Sequence, residues 1–385
     1  MLISAACGLL LSNLPSSRGF LSILTTGIGP SALGLHLTLA EWASSGLLTV
    51  FFLTVGLDLA TELTTGSLRH PRQALLPVIA AIGGMALPAG VFLGVLALTG
   101  TLPVDAHGWA IPTATDIAFA LGAAAVLVPG MTRGARIFLL TLATVDDLLG
   151  ILIIAVFYSI SVQLLPIIAA ILVALLYAWA IRRTPRPLGW GLLILGVIVC
   201  WGALHLAGVH PTLAGVLIGL GTPARTTPGR LEAETASRHV RPLSEFLVLP
   251  LFAITAAAVP LGGAALTPSR LPLLAAAGLA LLLGKPIGVL AATWIAIRFT
   301  PLRLPAGVKT VHELVPVGLL TGIGFTISLL FAGLAFTDPG QIHAAKLGIL
   351  LGTVGSGLAA AVCGRLLPRL RSRMRPADGP IGPTA

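Results

Sequence analysis

Apolar runs of bilayer length, separated by short polar connectors, make up most of the sequence. After a short first run, Leu2–Leu11, and a connector rich in Gly, Ser and Pro up to about Ala40, they fall near Leu47–Leu63, Ala74–Leu98, Trp109–Val128, Ile137–Tyr158, Val162–Trp179 and Leu188–Leu206. A short run follows Pro211 and ends near Leu220, and the last four are near Leu243–Val259, Leu271–Ile297, Val311–Phe331 and Ile342–Leu366. A helix needs about 20 apolar residues to cross the hydrocarbon layer, whereas a barrel strand needs only about ten in alternation. The runs therefore predict an all-α polytopic membrane protein with about twelve crossings, and they exclude a barrel.

Composition agrees. The chain of 385 residues is 56% hydrophobic and only 9% charged, with a mean hydropathy of +1.01. Soluble domains carry about a quarter charged residues, so a soluble reading is excluded. The first run lacks a basic segment and a small-residue cleavage site, which makes it a poor signal peptide. It is short for a span, so the first helix is read as truncated, with a start further upstream as the alternative. Residues 1–366 form one transmembrane domain in this reading, and residues 367–385 a basic, disordered tail. Cys7, Cys200 and Cys363 have no metal-ligand spacing and read as small apolar residues.

The net charge of +10 could suggest nucleic acid, but the basic residues sit in clusters between the runs. These are Arg69 and Arg72; Arg133 and Arg136; Arg182, Arg183 and Arg186; Arg225 through Arg241; Arg298, Arg303 and Lys309; and Arg365 through Arg375. They occupy every second connection, with Arg18 and Arg270 on the other side. By the positive-inside rule the clustered face, and both termini, are cytoplasmic.

Few charged side chains fall deep inside the runs; Asp58 and Glu62 lie near the end of Leu47–Leu63. Asp146 and Asp147 lie together in TLATVDDLLG (141–150). One Asp at the centre of a spanning helix costs about 2.5–3.5 kcal/mol, so two cost about 5–7 if additive. The penalty is tolerated where the carboxylates face water, a cation or a buried base; the plainer alternative is a polar packing pair. Neighbouring helical positions point about 100° apart, so the two cannot do the same job. Lys285, in LLLGKPIGVL (281–290), sits mid-run and is expected to pair with one of them while the other faces an aqueous funnel.

Asp116 lies in WAIPTATDIAFALG (109–122). Pro112 interrupts the helical ladder there, and Thr113 and Thr115 offer hydroxyls to the freed backbone. A second interruption is read in TGIGFTISLL (321–330). The two breaks lie in the middle runs of two triplets, 74–158 and 271–366, that begin on opposite faces. That is the arrangement of an inverted-topology repeat, whose broken helices build ion sites.

These segments carry a resemblance. VFFLTVGLDL (50–59), RQALLPVIAAIGGMALPA (72–89), GWAIPTATDIAFALG (108–122), VDDLLGILIIAVFY (145–158), GVHPTLAGVLIG (208–219), PLFAI (250–254), LLGKPIG (282–288), GIGFTISL (322–329) and AKLGILLGT (345–353) resemble the NhaA-type sodium/proton antiporters over nearly the whole chain. The resemblance implies twelve helices with two interrupted, crossing ones, and a cytoplasmic funnel ending at the aspartates. It implies exchange of protons for one Na+ or Li+ across the cytoplasmic membrane. Position by position, Asp147 is similar to the principal cation ligand and proton carrier, and Asp146 to the second carboxylate, which pairs with the lysine matching Lys285. Asp116 and Thr115 match residues of the first interrupted helix, His210 a histidine linked to pH response, and Lys346 a lysine of the last helix without an assigned role. Ser45, Ala60, Thr61 and Ala257 depart from the family pattern, so its pH set-point is not carried over.

The implied activity is transport, not enzymatic catalysis, with Na+, Li+ and H+ as cargo, no cofactor, and the bilayer as surroundings; a homodimer stays open. Two rivals are weighed against it. Carriage of an organic anion coupled to protons or Na+ would call for a membrane-embedded Arg or a wide polar pocket. An intramembrane aspartyl protease would call for aspartates on separate helices.

Overall fold

The computed structural model describes residues 1–15, 17–30, 35–69, 71–159, 163–261 and 266–373. Leu2–Leu11 (α1) is followed by Ser17–Leu24 (α2), which has no buried residue. Two short strands, Gly27–Ile28 (β1) and Leu37–Thr38 (β2), pair antiparallel with Gly27 opposite Thr38. The connector before Ala40, read from sequence as irregular, thus holds a surface helix and a β pair.

Long helices follow: Leu39–Thr64 (α3), Pro71–Thr99 (α4), then the bent pair Leu102–Thr113 (α5) and Ile117–Leu127 (α6). Next come Arg133–Phe157 (α7), Leu164–Ile181 (α8) and Arg186–Leu206 (α9). Shorter helices Leu213–Gly221 (α10), Ala233–Leu243 (α11) and Leu249–Ala256 (α12) lead to Leu271–Phe299 (α13). A second bent pair, Val311–Thr321 (α14) and Thr326–Ala335 (α15), precedes Pro339–Arg373 (α16). The last helix continues past Leu366, where the final apolar run ends, and residues 374–385 lie outside the described residues.

Among the described residues, seven helices are long and apolar enough to span a bilayer, and nine spans result if each bent pair counts as one. The runs at Leu2–Leu11 and after Pro211 fold into shorter helices, and the run near Leu243–Val259 enters a helix that passes through a π-helical turn, Ser244–Val248. Length and composition alone therefore pick out up to nine spans where the sequence predicts about twelve.

The two interrupted runs bend as the sequence suggests. The angle between α5 and α6 is 58°, and between α14 and α15 it is 52°. At the first break Ala114 adopts an extended backbone after the 3-10 segment Ala106–Thr113, which contains Pro112. Proline has no N–H to continue the ladder, so the chain leaves the helix there.

Close helix contacts rely on missing side chains. A Cβ on Gly83 of α4 would stand 2.7 Å from the Gly288 carbonyl of α13, and one on Gly288 only 2.3 Å from the Gly83 carbonyl. Without a hydrophobic driving force in lipid, such backbone approach is how helices gain packing energy. The contact fixes α13, and Lys285 with it, against the first triplet. By contrast α8 and α9 expose Leu165, Leu172, Leu176, Ile194 and Ile198, as lipid-facing helices do.

Candidate functional site

The site lies where the two breaks cross. The Asp116 amide donates to the Ile323 carbonyl at 2.9 Å, so the extended stretch of one broken run bonds that of the other. The Asp116 carboxylate accepts from the Phe119 amide (3.0 Å), capping α6, and from the Thr326 amide (3.2 Å) and hydroxyl (2.9 Å) at the start of α15. One buried carboxylate therefore serves the positive ends of both half-helices. Glycine is required at this crossing: a Cβ on Gly324 would lie 2.5 Å from Ser328 Oγ and 3.0 Å from the Ala114 carbonyl.

Asp146 and Asp147 stand on α7 beside the crossing, both buried. Lys285, also buried, places Nζ 2.7 Å from Asp146 Oδ2 and donates to the Thr113 carbonyl at the end of α5. It directly follows a π-helical turn, Ala280–Gly284, an irregularity that tends to mark functional positions. The Thr115 hydroxyl lies 2.8 Å from Asp146 Oδ2 and 2.9 Å from the Thr321 carbonyl, and donates to one at a time. Lys285, Thr115 and Asp146 thus tie α13, the first break and α7 together.

Asp147 points elsewhere. It lines a cavity of about 820 Å³ walled by α3, α6, α7 and α11. Asp58, Glu62, Glu234, Arg238, Arg241 and Glu245 line the same cavity and carry its other charges. Arg241 clasps Asp58 at 2.7 Å, and the Ser237 hydroxyl donates to Asp58 at 2.7 Å. This end lies next to the Arg-rich connection 222–242. Among the described residues, Asp146 Oδ1 and Asp147 Oδ1 are buried without a hydrogen-bond partner. A buried carboxylate oxygen in that position is costly unless water, a proton or a cation partners it. Hard oxygen donors from Asp146, Asp147 and nearby hydroxyls suit an alkali ion as cargo.

The structure therefore brings together Asp116, Thr115, Asp146, Asp147 and Lys285. It leaves His210 apart, in the turn between α9 and α10, with Nδ1 2.6 Å from Thr212 Oγ1. Lys346, on α16, does not line the cavity. Sequence reasoning placed Asp58 and Glu62 near a helix end but missed their part in the cavity wall. Their spacing of four residues, one face of a helix, and the equal spacing of Arg241 and Glu245 were the available signals. Thr326 was missed because capping across a crossing has no local pattern.

Comparison with known proteins follows the same line. Residues 1–363 match the family described as Na+/H+ antiporter 1. The chain is 40% identical over 395 residues to the Na(+)/H(+) antiporter NhaA of Bifidobacterium longum, covering 97% of this chain and 82% of that one. It is 43% identical to the Acidovorax sp. protein of the same name, covering 94% and 86%, and 41% identical to that of Salmonella arizonae, covering 93% and 92%. In fold it is similar to the sodium proton antiporter MjNhaP1 from Methanocaldococcus jannaschii, with a TM-score of 0.54 at 17% identity, covering 96% of this chain and 91% of that one. The crossing of two broken helices beside a buried aspartate pair and the match along nearly the full length together mean that this multi-pass membrane protein belongs to the Na+/H+ antiporter 1 family.

Proposed function

We propose that Asp146 and Asp147 form the place where Na+ and protons compete in the Na+/H+ exchange of this family, with Asp147 as the principal ligand and proton carrier. The observation that carries the reading is Asp147, buried at the end of a charged cavity with one carboxylate oxygen unpartnered. A proton on the carboxylate removes the charge that would hold a dehydrated cation, so loading with one excludes the other. Lys285 neutralises Asp146, which leaves Asp147 as the freer charge. The pair titrates as one unit, because two carboxylates this close cannot ionise independently.

Thr115 and the carbonyls freed at the breaks supply further oxygens, and Asp116 holds the two positive half-helix ends in register while the broken pair shifts between faces. Li+ is accepted on the same oxygens. If two protons leave for each Na+, a net charge crosses per cycle, worth about 2.3 kcal/mol per 100 mV, and the exchange is electrogenic. The protein resides in the cytoplasmic membrane with both termini inside, by the placement of its Arg clusters, and serves pH and sodium homeostasis. Relatives named as Na+/H+ antiporters favour this over carriage of an organic anion. A homodimer is compatible with it.

Asp147→Ala in everted membrane vesicles tests the assignment. Na+ and Li+ should no longer relieve a respiration-driven pH gradient, while the protein remains present at the parent level. Exchange at the parent rate would remove Asp147 from the ion site.

A further inference from the structure

A second cluster of charged and polar groups lies at the opposite face from the cavity mouth. Asp105, at the end of the first α-turn of α5, is 1% exposed. It accepts from Gln341 Nε2 at 2.7 Å and lies 4.0 Å from Arg270 Nη1. Arg270 Nη2 also donates to Asp338 Oδ2 at 2.8 Å, and the same oxygen accepts from the Gln341 amide at 2.9 Å, capping α16. Three chain segments meet there: the entry to α5, the residue preceding α13, and the entry to α16.

An exposed pair of this kind would contribute little. Asp105 is buried, however, and a buried carboxylate is costly without partners. The cluster therefore holds its segments firmly. Two of them meet again at the ion site: α5 ends at the Thr113 carbonyl, and α13 carries Lys285, which donates to that carbonyl. Arg270 and Lys285 are separated by about 22 Å of helix. The same two elements thus meet twice, once where Arg270 Nη1 lies 4.0 Å from Asp105 and once halfway along α13, where Lys285 donates to Thr113.

The geometry points to Arg270 and Asp105 as positioning residues for the ion site: their clamp sets the reach of Lys285 between Thr113 and Asp146. It rests on the reading of Asp146 and Asp147 given above. The clamp touches no ion. It acts by fixing how strongly Lys285 competes with a cation for Asp146, so its loss alters apparent Na+ affinity and the pH profile more than the maximal rate.

The test compares Arg270→Gln, Arg270→Lys and Asp105→Asn in vesicles, scoring apparent KM for Na+, maximal rate and the midpoint of activity against pH. Arg270→Gln and Asp105→Asn should change KM in the same direction by about three- to tenfold and displace the pH midpoint, with maximal rates within about twofold of the parent. Arg270→Lys, which keeps the charge, should restore most of the parent behaviour. Parent-like KM and pH midpoint in Arg270→Gln would overturn the inference, as would a fall in maximal rate alone. Should Arg270→Gln fail to accumulate, Asp105→Asn, which keeps the Arg270–Asp338 pair, decides by the same criterion. Absence of Na+-driven proton flux in the parent would instead refute the exchange itself.

Discussion

Replacing Lys285 by Ala removes one half of a pair whose two side chains are fully buried and 2.7 Å apart. Asp146 would keep the Thr115 hydroxyl as its hydrogen-bond partner, with Oδ1 already unpartnered, and the Thr113 carbonyl would lose a donor. Breaking a buried pair from one side costs about 3–5 kcal/mol, because the remaining charge stays buried alone. At about 2–4 °C per kcal/mol for chains of a couple of hundred residues, and less for a longer one, the midpoint of thermal unfolding should fall on the order of 5–10 °C. Adding Asp146→Asn removes the stranded charge, so the double variant should regain about half of the loss or more. The measurement is thermal unfolding of the detergent-purified protein above neutral pH, where Asp146→Asn alone completes the cycle. A single variant melting within 1 °C of the parent, or strictly additive losses in the double variant, would refute an energetically coupled Lys285–Asp146 pair.

Further outcomes follow from other positions. Gly324→Ala puts a methyl group against Ser328 Oγ and the Ala114 carbonyl, and backbone does not yield cheaply. Exchange should drop at least tenfold with the protein still inserted, and near-parent exchange would show that the crossing tolerates width. At His210, burial pushes the imidazole down to about 4 from its ordinary 6.5. The fold favours the neutral ring, so its contribution to stability is complete above about pH 6.5 and is lost as pH falls towards 4. His210→Gln, which keeps a hydrogen-bonding group toward Thr212, should leave the activity profile above pH 6 in place, whereas His210→Ala should displace it. A displaced profile in His210→Gln would mean that the ring acts by titrating.

How much of this was legible in advance differs by residue. Asp146, Asp147 and Lys285 stood out because ionisable groups in bilayer-length runs are costly wherever the helix packs. The break at Pro112 was equally visible, since proline lacks an N–H in any context. The break at Gly322–Phe325 was readable only beside its counterpart, because glycine alone is common in spanning helices. The Arg241–Asp58 clasp and the Arg270 cluster join residues from distant parts of the chain, and no local pattern announces either. Seven to nine of the about twelve predicted crossings meet a test of helix length and composition among the described residues, because an apolar run reports burial, in lipid or in protein, and not the length of unbroken helix.

The sequence by itself settled that the chain crosses a membrane many times, which face carries its arginines, and where charge is forced into the bilayer. Those are transfer costs, and they add up residue by residue. Composition and spacing left open which aspartate takes the lysine; the resemblance pointed to Asp146, and the tertiary structure sets Lys285 against Asp146 and places Asp147 on the cavity wall. Adjacent residues on one helix differ by a fixed rotation, but the direction of that rotation in space is set by the neighbours. Here these are the Gly83–Gly288 contact that seats α13 and the bonded crossing at Asp116 and Ile323.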